Sequence, residues 1–241
     1  MPWDIALIFF LLTVILPWRG RVKMKKLLGQ PQVGTVERLT LYASTIAFQW
    51  AMTALVAWRG WIHGYTAAQL GLAMPGRSRL LIVGIVGAVA IGTFQWLNLR
   101  RVGKIPIEKR GPLVAIAQRI FPQTTVELLP YLALATTAGI CEEFLYRGFT
   151  MAVLVRVGLP AWAVVLVSSV MFGLAHLYQG RGGLVGTLLV GTVLGMARIA
   201  YDSLVPVIFW HSALDMVAGV AGPKYLAGRA WECGGRRRIA P

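Results

Sequence analysis

Long runs of apolar residues are the feature that most constrains the fold of this chain. Seven such runs lie at 3–17, 39–58, 79–99, 127–155, 161–178, 184–200 and 203–221. A run of about 17–25 apolar residues is long enough to cross a membrane as a helix. Within lipid, only helices and closed barrels satisfy all backbone polar groups, and these runs are too long for barrel strands. The sequence therefore predicts an all-α, polytopic transmembrane helix bundle with about seven spans, in contact with the lipid bilayer.

Composition and charge exclude several other classes of protein. Hydrophobic residues make up 57% of the 241 residues and charged residues 14%, whereas an average soluble domain is about 25% charged. The two cysteines are too few for a disulfide framework or a multi-cysteine zinc module. A net charge of +15 would indicate nucleic acid in a soluble protein. Because cytoplasmic loops of membrane proteins also collect Lys and Arg, we expect no nucleic-acid partner.

The distribution of the basic residues predicts the orientation of the chain. With seven crossings and a cytoplasmic connection after the first run, most Lys and Arg residues fall on the cytoplasmic side. The opposite side holds Arg59, Arg77, Arg79, Arg156 and Arg198. This imbalance predicts an outside N-terminus and a cytoplasmic C-terminus. The first run carries Asp4 and has its positive charges after it, which favours an uncleaved span over a signal peptide.

We divide the chain into three parts. Residues 1–126 hold the N-terminal spans, basic loops and an interfacial segment at 112–125, while residues 127–221 hold the polar motifs described next. Residues 222–241 form a basic cytoplasmic tail, in which Cys233 is not part of a C-terminal CaaX box. The short chain and sparse loops favour a bacterial inner membrane. Two pairs of small residues, Gly182 with Gly186 and Gly191 with Gly195, predict close helix packing.

Ionisable side chains interrupt three of the apolar runs. The motifs are Cys141-Glu-Glu-Phe-Leu-Tyr-Arg147, then Phe172-Gly-Leu-Ala-His176, then His211-Ser-Ala-Leu-Asp215. A charged side chain at the centre of a membrane helix is costly, so it usually faces a cavity and a partner. Three helices are therefore expected to bring polar groups to membrane depth.

Helical geometry separates the two glutamates. Residues four apart lie on one face of a helix, so Glu143 and Arg147 can pair. Glu142 is turned about 100° away, so Arg147 does not easily neutralise it. A single ion pair or histidine of this kind is usually structural, but three motifs together predict a functional site. The remaining histidine, His63, lies beside Trp61 and is expected to be interfacial.

Taken in order, these motifs resemble the CPBP family of intramembrane proteases. That family includes type II CaaX prenyl proteases and bacteriocin-processing or immunity proteins. Its pattern is Glu-Glu-xxx-Arg, then Phe-xxx-His, then His-xxx-Asn or Asp, and the resemblance covers about residues 127–221. It implies a glutamate-dependent endopeptidase that hydrolyses peptide bonds of membrane-associated peptides or proteins.

The resemblance also implies a role for each motif residue. By it, Glu142 is the general base, His176 helps to hold the attacking water, and His211 lies where the oxyanion develops. The other residues implied at the site are Asp215 beside His211, with Glu143, Arg147 and Phe172 in support. Prenyl proteases carry Asn at the last position, whereas an ionised Asp215 can only accept hydrogen bonds. We therefore expect Asp215 either to orient His211 or to stay protonated.

Several alternatives stay open. Glu142, His176 and His211 could form a His₂Glu zinc site, although we expect no cofactor because one glutamate cannot easily be both ligand and base. The same helices could form the pocket of a non-catalytic immunity or binding protein, or a transporter's proton relay. No His-Glu-x-x-His, Gly-x-Gly-Asp or Gly-x-Ser-Gly motif occurs. We expect Cys141 to be a buried small residue rather than a nucleophile.

Overall fold

A computed structural model describes residues 2–228, which form eight helices. The helices are α1 (Trp3–Leu28), α2 (Thr35–Ile62), α3 (Arg77–Val102), α4 (Pro112–Arg119), α5 (Thr125–Arg156), α6 (Ala161–Ala175), α7 (Gly180–Tyr201) and α8 (Val205–Ala227). Short 3₁₀ turns occupy Ile107–Lys109 and Leu177–Gln179. The described residues contain no strand. The prediction of an all-α, multi-pass bundle is confirmed.

Six of these helices are long and apolar enough to cross a membrane. They are α1, α2, α3, α5, α8, and α7 together with the turn that precedes it. The remaining apolar run, predicted at 161–178, is helical only over the 15 residues of α6. At about 1.5 Å per residue, α6 is about 22 Å long, which is less than the hydrocarbon thickness of about 30 Å. Its last turn stops at Ala175, and His176 lies at the break.

The ends of two helices differ from the prediction. Helix α1 continues to Leu28, so the basic residues from Arg19 to Lys26 lie on its last turns instead of in a loop. Helix α8 continues to Ala227, which makes the first residues of the predicted tail helical. The rest of that tail, including Cys233, lies outside the described residues. The segment predicted to be interfacial contains the short helix α4.

Connections that the topology predicts to be external meet at one end of the bundle. His63 Nε2, just after α2, lies 2.7 Å from Asp4 Oδ2 at the start of α1. Arg156 at the end of α5 donates to the carbonyl oxygen of His63 at 2.8 Å. In the turn before α8, the Leu204 N–H donates to the carbonyl oxygen of Gly71 at 2.8 Å. These contacts bring the start of α1, the ends of α2 and α5 and the start of α8 to the same end of the bundle.

The opposite end of the bundle is held by paired charges and backbone contacts. Arg38, near the start of α2, makes a bidentate ion pair with Glu127 of α5, with both nitrogen–oxygen distances 2.9 Å. Both side chains are buried. Arg119 of α4 donates to the carbonyl oxygen of Gln30 at 2.8 Å. These contacts fix the positions of α2 and α5 relative to each other at the end of the bundle that the topology predicts to be cytoplasmic.

Helix α5 lies in the core of the bundle. Its segment Phe144–Thr150 winds as a π-helix, and all seven residues of that segment are buried. A π-helical turn widens the helix and often occurs at functional sites. Helices α2, α6 and α8 pack around α5 and supply the other polar groups described below. The central position of α5 brings the two glutamates into the interior.

Close packing of α7 is observed for one of the two predicted glycine pairs. A Cβ atom on Gly191 or Gly195 would lie 3.1–3.3 Å from atoms of α6, which is closer than an ordinary van der Waals contact. No atom of the described residues lies within 4 Å of such an atom on Gly182 or Gly186. The first pair therefore does not form a packing contact, whereas the second brings α7 against α6 beside Phe172.

Candidate active site

The structure brings the three motifs together, in two contacts between helices. His176 Nε2, after α6, lies 4.0 Å from Glu142 Oε2 of α5. His211 Nδ1 of α8 lies 2.8 Å from Glu143 Oε1 of α5. His211 thus pairs with Glu143, and His176 is the histidine that faces Glu142. The adjacent glutamates thus contact different histidines, because they point in different directions from α5.

The site has a buried layer and an accessible layer. Glu143 and Arg147 are fully buried, and Arg147 Nη1 donates to Glu143 Oε1 at 3.0 Å, as their spacing predicts. The side chains of Glu142, His176 and Asp215 are 20%, 17% and 40% exposed. A molecule entering the site would therefore meet these three residues first, with the ion pair beneath them.

Hydrogen bonding determines the tautomer of His176. Its Nδ1 lies 2.9 Å from the carbonyl oxygen of Phe172, one helical turn earlier. A carbonyl oxygen can only accept, so Nδ1 carries the hydrogen and donates it. In the neutral ring, Nε2 then has a free lone pair, and this is the atom that faces Glu142.

His211 lies between two carboxylates. Its Nδ1 contacts Glu143, and its Nε2 lies 3.6 Å from Asp215 Oδ2, one turn further along α8. The distance to Asp215 is too long for a hydrogen bond. Since a carboxylate lies on each side, the arrangement suits a protonated ring, whose Nδ1–H donates to Glu143 and whose Nε2–H faces Asp215 without a close contact. The hydroxyl of Tyr131 donates to the Asp215 carbonyl oxygen at 3.1 Å and ties α5 to this part of α8.

The ring of Phe172 packs at the centre of the site. The Arg147 guanidinium carbon lies 4.1 Å from the ring centroid, a cation–π geometry. The rings of His176 and His211 lie 4.8 Å and 5.6 Å from it, centroid to centroid. Phe172 is only 2% exposed. It therefore separates the two imidazoles and limits their rotation, which is a physical reason for an aromatic residue at this position.

Gln49 of α2 is a site residue that the sequence analysis missed. Its Nε2 donates to Glu142 Oε1 at 2.8 Å. The other carboxylate oxygen, Glu142 Oε2, is buried and has no hydrogen-bond partner among residues 2–228. The available signal was a lone glutamine within the apolar run 39–58. Gln49 lies at the middle of the 28-residue helix α2, so Glu142 is deep within the bundle.

Other candidate nucleophiles in this region are occupied or buried. Ser168 donates to the carbonyl oxygen of Tyr146 at 2.8 Å, and Ser169 donates to that of Val165 at 2.7 Å. Both serines are fully buried, and so is Cys141. The hydroxyls are therefore engaged with backbone carbonyls instead of with a histidine.

Glu142, His176 and His211 are not arranged as the three ligands of one metal ion. In the described part of the chain, no group of three or more His, Cys, Asp or Glu side chains is placed to hold an ion. His211 directs Nδ1 to Glu143 and Nε2 towards Asp215, which leaves Glu142 and His176 as two convergent donors. A catalytic zinc site has three protein ligands. We therefore derive no step through a metal.

Comparison with known proteins agrees with the motifs. Residues 124–217 match the model of the family described as type II CAAX prenyl endopeptidase, Rce1-like. That segment contains both glutamates, Arg147 and both site histidines, whereas Gln49 lies outside it. Neither a curated protein nor a solved structure matches the chain. The predicted resemblance is confirmed. Residues 124–217 of this multi-pass membrane protein are thus similar to the Rce1-like type II CAAX prenyl endopeptidases, a family of intramembrane endopeptidases.

Proposed function

We propose that this chain hydrolyses peptide bonds of membrane-associated peptides or protein tails, with Glu142 as the general base. The observation that carries the proposal is the gap between Glu142 Oε2 and His176 Nε2. The two atoms are 4.0 Å apart, which is too long for a direct hydrogen bond and suits one bridging water. Both are acceptors in the tautomer described above, so they can each accept one hydrogen of that water.

A water held in this way is oriented for attack. Its two O–H bonds point to Glu142 and His176, so an oxygen lone pair remains for the carbonyl carbon of the substrate. As the new C–O bond forms, Glu142 Oε2 accepts the proton that the water loses. A carboxylate positioned within reach of the proton is an effective general base. The Nδ1–H bond to Phe172 keeps the ring of His176 in the receptive orientation.

The negative charge that develops on the carbonyl oxygen needs a donor, and His211 supplies it in this proposal. Its Nδ1 is held by Glu143, which orients the ring, and its Nε2–H is free of a close acceptor because Asp215 is 3.6 Å away. A preorganised donor at a buried oxyanion lowers the barrier substantially. Asp215 then balances the positive charge of the His211 imidazolium. A carboxylate can fill this role, so the Asn that prenyl proteases carry at this position is not required.

The reaction ends when the tetrahedral intermediate collapses. The C–N bond breaks, the proton held by Glu142 passes to the departing nitrogen, and the products are a carboxylic acid and an amine. Glu142 is then ionised again. The reaction therefore needs no covalent bond between enzyme and substrate and no reactant other than the peptide and water. In this proposal the peptide enters from the side on which Glu142, His176 and Asp215 are partly exposed.

We further propose a bacterial inner membrane location, with the N-terminus outside and the C-terminus in the cytoplasm. The imbalance of basic residues supports this orientation. Three of the five arginines predicted to be outside, Arg59, Arg156 and Arg198, make hydrogen bonds within the external end of the bundle. A C-terminal fusion to green fluorescent protein should fluoresce, and a C-terminal alkaline phosphatase should be inactive. The reverse pattern would contradict the orientation.

A comparison of membrane proteomes tests the catalytic proposal and does not require that the substrate be identified first. Cells produce the wild-type chain, Glu142→Gln, or the matched control Glu108→Gln, which changes an exposed glutamate in the Ile107–Lys109 turn. New peptide termini are then quantified by mass spectrometry. We expect a set of new peptide termini in cells that produce the wild type or Glu108→Gln. These termini should be absent from cells that produce Glu142→Gln. Equal termini with folded Glu142→Gln, or none with the wild type, would overturn the proposal.

A further inference from the structure

The glutamine in α2 points to a function for the N-terminal part of the chain. We infer that Gln49 is a positioning residue, which fixes the Glu142 carboxylate so that Oε2 faces His176. This inference rests on the proposed function. Its basis is the hydrogen bond of 2.8 Å from Gln49 Nε2 to Glu142 Oε1. Gln49 lies outside residues 124–217, so the matched family segment does not contain this part of the site.

The chemistry of the contact defines which way the amide points. An ionised carboxylate only accepts hydrogen bonds, so the NH₂ group of Gln49, and not its oxygen, must face Glu142. An unpaired amide inside a membrane bundle is costly to bury. Among residues 2–228, Gln49 Oε1 is buried without a hydrogen-bond partner. A wholly apolar residue would avoid that cost, so the glutamine is explained by what its NH₂ group does.

The hydrogen bond orients the base. It is the only hydrogen bond between the Glu142 carboxylate and the rest of the described chain. Without it, nothing distinguishes the two carboxylate oxygens, and the group can turn about its last side-chain torsion, which has a broad energy profile. With Oε1 held by Gln49, Oε2 stays 4.0 Å from His176 Nε2. Gln49 therefore acts on the reaction through Glu142.

The packing of α2 does not depend on this hydrogen bond. Near the start of α2, Arg38 forms its bidentate ion pair with Glu127 of α5. Towards the end of α2, Val56 belongs to the same buried cluster as Phe149 of α5. The two helices are thus joined on both sides of Gln49. A variant that keeps its volume and loses its donor should fold and keep α2 in place.

The test compares Gln49→Met with Gln95→Met. Methionine has nearly the length of glutamine and no N–H donor, and Gln95 is a partly buried glutamine of α3, far along the chain from the site. The substrate is a synthetic peptide that spans a cleavage site found in the membrane proteome. We expect kcat of Gln49→Met to fall about 10-fold to 100-fold, as for a misplaced catalytic group. KM and thermal midpoint should match those of the wild type and of Gln95→Met.

A second comparison separates positioning from a merely structural effect. In a Glu142→Gln background, Gln49→Met should cause no additional loss of the residual rate, because the residue acts through the carboxylate. An independent further loss of tenfold or more would overturn the inference, as would full kcat in Gln49→Met. In either case an inactive Glu142→Gln protein would still support the proposed function. If Glu142→Gln retains full activity, the proposed function itself fails, and this inference fails with it.

Discussion

Replacing Glu143 tests whether the buried ion pair is a structural support of the site. Glu143→Met keeps the size of the side chain and removes both acceptor contacts, to Arg147 at 3.0 Å and to His211 at 2.8 Å. Arg147 is fully buried, and its Nε and Nη2 already have no hydrogen-bond partner in the described chain. Removing one partner of a buried ion pair costs about 3–5 kcal/mol in the free energy of unfolding. For a protein of this size, that lowers the thermal midpoint by roughly 6–20 °C.

The double variant Glu143→Met with Arg147→Met separates stability from activity. Removing both charges of a buried pair is often neutral or stabilising, so its thermal midpoint should rise above that of Glu143→Met, towards that of the wild type. Turnover should stay low in both variants, because His211 Nδ1 has lost its acceptor and its ring is no longer oriented. Thermal unfolding of the detergent-purified protein and the cleavage rate are the assays. If Glu143→Met keeps the wild-type midpoint, or the double variant regains activity, the reasoning is refuted.

The remaining predictions concern the ion pair of Arg38 with Glu127, the role of His176 and the metal content of the protein. Arg38→Met should lower stability by about 3–5 kcal/mol, because Glu127 remains buried and unpaired. Its kcat per folded molecule should stay unchanged, and a fall in kcat would show that this pair supports the site. His176→Ala should lower kcat by about 10²–10⁴-fold with an unchanged thermal midpoint, since the water loses one of its two acceptors. If His176→Ala turns over substrate at the wild-type rate, His176 has no role in holding the water. Purified protein should contain less than one equivalent of zinc and keep its activity in EDTA, whereas stoichiometric zinc whose removal abolishes cleavage would establish the metal alternative.

The sequence predicts those features that depend on local composition and helical periodicity. Lipid requires long apolar helices, so the spans could be identified from their length. The pair of Glu143 and Arg147 follows from a spacing of four along one helix. The paired motifs around His176 and His211 identified the helices that contribute to the site. None of these inferences depends on how the helices pack.

Features that depend on packing between helices could not be predicted. The contact of Gln49 with Glu142 joins residues 93 positions apart, and that of His211 with Glu143 joins residues 68 apart. The pairing of each glutamate with its histidine depends on how α5 is rotated about its axis and on its π-helical segment. The periodicity of the sequence predicts neither of these features. His63, which we expected at the interface, also contacts Asp4 from α1.

The end of α6 is a second example of such a feature. The apolar run extends to Tyr178, so hydropathy alone placed the end of the helix later than Ala175. The chain leaves the helix at His176 and turns through Leu177–Gln179 before α7 begins. This early end frees His176 to face α5. Hydropathy does not record it, because the residues that form the turn are themselves largely apolar.

The cleavage rate of Glu142→Gln tests the central claim most directly. The purified wild-type chain, Glu142→Gln and the control Glu108→Gln are reconstituted in liposomes with a peptide that spans an identified cleavage site. Loss of the general base should lower kcat by about 10²–10⁴-fold, while Glu108→Gln stays equal to the wild type. The thermal midpoints of the three proteins should agree. If correctly folded Glu142→Gln cleaves the peptide at the wild-type rate, Glu142 is not the base and the account is contradicted.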